Sequence, residues 1–453
     1  MRNKLRTAHA AAWLLGGAVL AVSGRAAAAA CPSGPTTVYL NGSTAAPPLI
    51  AAVANVLGSS VNIIYQRPGS CQGPDHLLNK TPGLESAAWL QPGTGAAGTA
   101  CTLPTLPAPT NAAGAVVDIG VSDVYASTCQ ATFDPNLPAV GTGTKDFLGP
   151  IQAMTLAVPT ASTATTISAE AAYMVFGYAA DTAAHTIAPW SVPGDIFTRY
   201  YDSGTLEMTA TAIGLVGSKW KNATCNPNTS TCPQTTTGAG GEATALTTAA
   251  MKGTADTNAA IGNLGDQNLV TGVRQLAFQA KGQECAYYPD STSTALDKIN
   301  VRQGRYAIWG PLHMIVDVDQ NGQPVGQNNN TAAVQTVINA FTATSQEPAA
   351  LSGDAGVDGG VTSLTEDQVG ALVDAISAPT VRIIPQCAMQ VQRTSEIGPE
   401  ASYAPPAACS CRFENATGVA VAGHTCTACT AANASTTCTG ATPKCRFGYC
   451  EAE

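Results

Sequence analysis

Apolar positions along the chain fall into short runs of two periods, separated by Gly, Pro, Ser and Thr. Thr36-Thr-Val-Tyr-Leu40 is β-branched and aromatic and predicts a strand; Asn41-Gly42-Ser43-Thr44 is a turn, and Leu49 to Leu57 repeats its apolar residues at helical spacing. Ser43 or Thr44 is placed to cap that helix. Val61-Asn-Ile-Ile-Tyr65 predicts a second strand running into Gln66-Arg-Pro-Gly69-Ser70-Cys71, and residues 115–123 a short buried strand ending in Ser122-Asp123. Ile151 to Val158 is a further strand, stopped by Pro159, and Ser168 to Phe176 a helix capped by its serine.

Later stretches continue the alternation. Asp195-Ile-Phe-Thr198, Ala259 to Leu264 and Val273 to Phe278 read as β-like, Ala332 to Phe341 and Glu366 to Ile376 as helical, and Arg305 to Val316 as an apolar run broken at Gly310-Pro311. Residues 80–112 show no period and predict a long loop tied by Cys101. Residues 222–243 predict a second loop, with Cys225 and Cys232 close enough for a local disulfide. Strands and helices in alternation imply an α/β fold. In such sheets ligands gather beyond the carboxyl ends of the strands.

The amino terminus changes the picture of compartment. Arg2, Lys4 and Arg6 precede an apolar stretch, Ala11 to Val22, and an alanine run. This is the pattern of a secretory signal peptide over residues 1–30, with an apolar core too short to span a membrane. Its removal leaves seventeen basic against thirty acidic residues, a net charge near −13. Nucleic acid and anionic membrane surfaces are therefore excluded as partners. Fifteen cysteines in an exported chain predict disulfides rather than zinc. Fifteen is odd, so Cys31 behind the alanine run could carry a lipid while fourteen others pair. Ala27 to Cys31 lacks the leucine of a good lipobox, and simple export is the expectation, to the periplasm or cell surface. Seven cysteines between Cys409 and Cys450 mark a stapled C-terminal module with too few apolar residues for its own core. Cys387 is placed to link it to the body.

Candidate chemistry centres on Arg199-Tyr-Tyr-Asp-Ser203-Gly204-Thr205, ahead of a predicted helix from Leu206. A helix start leaves N–H groups unpaired and partially positive, and a guanidinium adds a planar fork of donors, so the stretch suits a small oxyanion. The plainer reading is a turn with an N-cap. His76, His185, His313 and His424 are scattered and read as structural. Cys426-x-x-Cys429 reads as structural disulfide chemistry, and Trp190 and Trp309 as core. No nucleophile elbow or phosphate-binding P-loop is present.

Four pieces stand in one order: Gly42-Ser43-Thr44, Tyr65-Gln-Arg-Pro-Gly-Ser70, Asp118-Ile-Gly-Val-Ser-Asp123 and Arg199-x-x-x-Ser203-Gly204-Thr205. Together they resemble the periplasmic phosphate-binding proteins of ABC transporters, the PstS type. The resemblance implies a two-lobed periplasmic-binding-protein fold: signal peptide 1–30, lobe I in 31–157 and 306–395, lobe II in 158–305, and a Cys-rich module in 396–453. It implies ligand contacts from Thr44, Ser70, Asp123, Arg199, Ser203, Gly204 and Thr205, no cofactor, no enzymatic step, a monomer, and an ABC permease as partner. Asp123 would admit phosphate, which carries a proton to donate, and reject sulfate, which does not; its plainer reading is a cap on the following helix. Departures are Ala45 where the family has an aromatic residue, Tyr201 where it has Asp, Cys71 in the Gly-Ser turn, and a long connection from Ser70 to Ser122. The alternatives are a secreted surface protein that keeps the fold without a ligand, and an extracellular hydrolase.

Overall fold

A computed structural model describes residues 28–221, 239–346, 364–421, 424–430 and 432–451. The chain opens with β1 (Thr37–Gly42), α1 (Pro47–Leu57), β2 (Asn62–Gln66), α2 (Gln72–Leu78), β3 (Ala87–Leu90), β4 (Thr99–Cys101), β5 (Ile119–Ser122) and α3 (Ala126–Thr132). It continues through β6 (Thr144–Pro159), β7 (Thr166–Ser168), α4 (Ala169–Tyr178), α5 (Gly204–Ile213), α6 (Ala239–Lys252), α7 (Thr254–Ala259), β8 (Gly262–Gly265), β9 (Val273–Gln275) and β10 (Ala277–Gln279). After α8 (Ile299–Arg302) come β11 (Trp309–Asp317), α9 (Thr331–Thr342), α10 (Glu366–Ser377) and α11 (Ser410–Thr417).

The main sheet has the order β4-β3-β2-β1-β5-β11-β6-β8, with β9 also on β6. All six residues of β1 are buried, and it lies parallel to both β2 and β5, with Asn41 opposite Gln66 and Gly120. The carboxyl ends of β1, β2 and β5 therefore open at one edge, and the turns after them converge there. Gly42 makes this approach possible: its φ is +143°, and a Cβ there would fall 1.8 Å from the Val121 carbonyl oxygen.

β6 joins two halves of the sheet. Its first part, to Ala153, pairs antiparallel with β11; Met154 onward pairs with β8 and β9 instead. One strand thus belongs to the sheet carrying β1, β2 and β5 and to the sheet carrying β8. This α/β architecture, with a disulfide-rich C-terminal appendage, is consistent with a periplasmic-binding-protein fold.

Several local expectations are corrected. Residues 80–112 contain two strands, β3 paired antiparallel on β2 and β4 paired antiparallel on β3, with Ala87, Ala88 and Leu90 buried in the sheet. Asp195 to Thr198 forms no strand; a 3-10 turn covers Pro193–Asp195, and Ile196 makes one parallel bridge to Ile261. Residues 254–259 are helical, so the strand begins only at Gly262. Gly310-Pro311 does not break β11: the strand absorbs the proline as a register shift between Pro311 and His313. Residues 239–243 start α6 and are not loop. Cys225 and Cys232, and most of the expected leader, lie outside the described residues.

Six disulfides occur among the described residues: Cys31–Cys101, Cys71–Cys129, Cys387–Cys409, Cys411–Cys426, Cys429–Cys445 and Cys438–Cys450. Cys31 is spent on Cys101, which overturns the lipid-carrying alternative; the free thiol among the described residues is the exposed Cys285. Cys101 ties its segment and Cys387 links the tail, as expected. Cys426 and Cys429 do not pair with each other. The tail borrows core from the body, Phe413 and Phe447 joining the main apolar cluster, while Arg412 Nε donates to Asp374 on α10 at 2.6 Å. No helix among the described residues is long and apolar enough to cross a membrane, and the disulfides fit an oxidising compartment.

Candidate functional site

The turns after β1 and β2, together with strand β6, bring three side chains onto the carboxylate that follows β5. Asp123 accepts from Ser43 Oγ (2.6 Å) and Gln152 Nε2 (3.0 Å) on Oδ1, and from Ser70 Oγ (2.9 Å) on Oδ2. It is 2% exposed. Burial raises its pKa, and the three donors with the Arg199 charge pull the other way. The capping alternative fails: the residue at the N-cap of α3 is Tyr125, and no side chain caps that helix. Ser43 is the turn former its position suggested, accepting the Ala45 and Ala46 amides at 3.0 and 3.2 Å, just ahead of α1.

Gln152 extends the network across the sheet. It lies one residue before the end of the β11 pairing, and its Oε1 accepts from Gln267 Nε2 at 2.6 Å. Gln267 follows β8 in a 3-10 turn, Asp266–Asn268, so this bond joins the two halves of the sheet. The Ser70 turn is anchored in two further ways. Cys71 is bonded to Cys129, and its amide donates to the Asp202 carbonyl at 3.1 Å.

The Arg199 stretch meets these turns from the other side. Ser203 is the N-cap of α5, with extended backbone, and its hydroxyl makes no cap bond. Gly204 opens the helix in direct contact with the turns after β2 and β5: a Cβ there would sit 2.6 Å from both Asp123 Cβ and Ser70 Oγ. Ser203 and Thr205, which flank it, are buried. The first-turn amides of α5 therefore start at the wall that holds Asp123. Arg199 is 3% exposed and donates from Nη2 to Thr44 Oγ1 at 3.0 Å; its Nε and Nη1 are buried without a partner.

The structure brings Ser70, Asp123 and Gly204 into mutual contact and joins Thr44 to Arg199. Ser203 and Thr205 follow from Gly204. Burial lowers the Arg199 pKa, opposed by Glu242, Asp202 and Asp123. Burial also raises Asp202, and it holds the Glu242 proton to about pH 8. One cation among three carboxyl groups is the electrostatic character of the site. Sequence reasoning missed Gln152, Gln267 and Glu242. The first had a signal: a glutamine inside the otherwise apolar run Ile151 to Val158 is costly unless bonded. His76, His185, His313 and His424 each contact a carboxylate or an asparagine, as His313 does Asp146 at 2.6 Å.

Comparison with protein-family models and with curated proteins returned no match. Among solved structures the chain is similar to a phosphate ABC transporter substrate-binding protein with bound phosphate from Clostridium perfringens, at 13% identity and TM-score 0.40, over 67% of this chain and 96% of that one. It is similar to a phosphate-binding protein from Stenotrophomonas maltophilia (15% identity, TM-score 0.38, 80% and 92% covered). A third likeness is to an ABC-type phosphate transport receptor from Vibrio cholerae (14%, 0.38, 62% and 88%). At these values the likenesses assign no ligand.

Proposed function

We propose that this chain is an exported solute-binding protein that captures inorganic phosphate, or a related oxyanion, for uptake or sequestration. The guest would lie between a lobe of residues 31–157 and 306–395 and a lobe of 158–305, with β6 as one hinge strand. No bond is made or broken; the work is capture and release, with an ABC permease as the partner for uptake.

The observation that carries this reading is the state of Arg199. A guanidinium buried with two nitrogens unpaired is costly, roughly several kcal/mol for an uncompensated buried charge. An oxyanion reduces that cost by accepting along one edge of the guanidinium, from the second N–H of Nη2 together with either Nε or Nη1. Thr44 holds the third nitrogen and so fixes the direction of the fork. The α5 amides behind Ser203 add donors that carry no full charge.

Asp123 supplies selectivity in this reading. Three donors occupy three of its roughly four acceptor positions, which leaves one on Oδ2. A ligand hydroxyl fills it; an ion with no proton brings an oxygen against a carboxylate and is rejected by about 1–3 kcal/mol or more. Isothermal calorimetry tests this. Wild type must bind phosphate with sulfate unable to compete, Arg199→Ala must lose binding, and Asp123→Asn must relax the rejection of sulfate. Sulfate binding as tightly as phosphate to wild type would refute the assignment.

A further inference from the structure

Glu242 stands in the first turn of α6 and is fully buried. Its Oε1 is held by the backbone amide of Asn263 on β8, and its Oε2 has no hydrogen-bond partner. Two packing features place it beside Arg199. The parallel bridge between Ile196 and Ile261 runs the Arg199 segment alongside the strand that carries Asn263. Phe197 and Ala243, neighbours of the two charged residues, share one apolar cluster. Glu242 is also the charged group that acts most strongly on Arg199. A carboxyl group and a guanidinium buried side by side normally bond to each other, because separation leaves both unsatisfied. Here they do not: Arg199 Nε and Nη1 and Glu242 Oε2 all lie buried and unpaired, as do both side-chain polar atoms of Asn263.

A guest that accepts from the guanidinium and bonds to Glu242 Oε2 gives both of these side chains a partner. Resting on the oxyanion reading above, we infer that Glu242 is a second ligand-binding carboxyl, entering as the neutral acid and donating its Oε2–H to the oxyanion that Arg199 holds. Asp123 and Glu242 then play opposite parts, one accepting the ligand's proton and the other giving a hydrogen bond to an unprotonated oxygen. Burial favours the neutral acid up to about pH 8. Charged groups on the elements packed against α6 do not alter this. Asp266 is bound to Lys298, Arg274 is committed to the carbonyls of Ser162 and Ala164, and Asp256 lies on α7; the charge acting on Glu242 is that of Arg199.

The test is calorimetry with inorganic phosphate at pH 6.5 and pH 9 on the full chain. Wild type should lose at least about tenfold in affinity at the higher pH, following the ionised fraction of an acid near 8. Glu242→Gln cannot ionise, so its own affinity should change less than about threefold between pH 6.5 and pH 9. Titrations of wild type in two buffers of different ionisation enthalpy give a second readout that needs no variant: proton uptake on binding should rise between pH 7 and 9. Equal pH profiles for wild type and Glu242→Gln, or no proton uptake, would overturn the role of Glu242 while leaving the oxyanion reading intact. A wild type that binds no phosphate at pH 6.5 overturns both.

Discussion

Arg199 Nη2 donates to the hydroxyl of Thr44 at 3.0 Å, although 155 residues separate the two. The bond joins the turn after β1 to the segment that leads into α5, and it aims the rest of the guanidinium. Arg199→Lys keeps the charge and loses the fork. Phosphate affinity should fall by one to two orders of magnitude, roughly the worth of one or two charge-assisted hydrogen bonds, with the melting temperature unchanged or raised. Calorimetry beside thermal unfolding checks both parts.

Gly204 has no room for a methyl group. A Cβ would press on Asp123 Cβ and Ser70 Oγ, each 2.6 Å away. Gly204→Ala should push α5 off the Ser70 and Asp123 turns at a cost of about 1–3 kcal/mol, lowering phosphate affinity more than stability. An unchanged affinity in calorimetry would show that this contact is not part of the binding geometry.

Stability should fall as pH rises from 5 to 8. Glu207 and Glu242 both hold their protons to about pH 8, chiefly through burial. In the unfolded chain each ionises near its ordinary value of 4.5. Between those limits the native state binds more protons than the unfolded one. Their stabilising contribution is complete below pH 4.5 and is lost through pH 8, at about 1.4 kcal/mol per pH unit for each group. Melting curves of Glu207→Gln and Glu242→Gln should be flatter over this range than those of wild type.

The Cys71–Cys129 disulfide closes a long loop, with a sequence separation of 58, and anchors the Ser70 turn. Replacing both cysteines by serine should cost on the order of 4 kcal/mol by the chain-entropy relation. It should also weaken phosphate binding, because Ser70 then loses its fixed approach to Asp123. Denaturant titration and calorimetry on the double variant separate the two effects.

Lys298 is buried between Asp266 and Asp290, at 2.7 Å from each. Lys298→Ala removes the cation that Asp266 and Asp290 share, leaving only Arg382 at 3.6 Å from Asp266, and should destabilise by about 3–5 kcal/mol. Adding Asp290→Asn should recover part of the loss, measurable as a rise in the denaturation midpoint. No recovery would mean that packing of the lysine stem, not charge, sets the cost.

Local chemistry decided much of this protein before any fold formed. β-branched runs such as Thr36 to Leu40 dictated strands, apolar residues at helical spacing dictated α1, α9 and α10, and Ser168 capped α4 through the Ala171 amide. The Gly-Ser and Ser-Gly-Thr turns were legible too, because small residues beside strand ends and helix starts need no distant partner to take those conformations. What remained hidden depended on contacts between remote segments. β3 is a strand only because β2 offers an edge and β4 only because β3 extends it, Pro311 is tolerated only because β11 bulges against β6, and Asp123 is a hub rather than a cap because Ser43, Ser70 and Gln152 reach it. The place of Glu242 next to Arg199 could not be read from sequence at all. A buried polar atom's state is set by which other chain segments arrive beside it, and only the tertiary packing of β8 against the Arg199 segment and α6 brings them there.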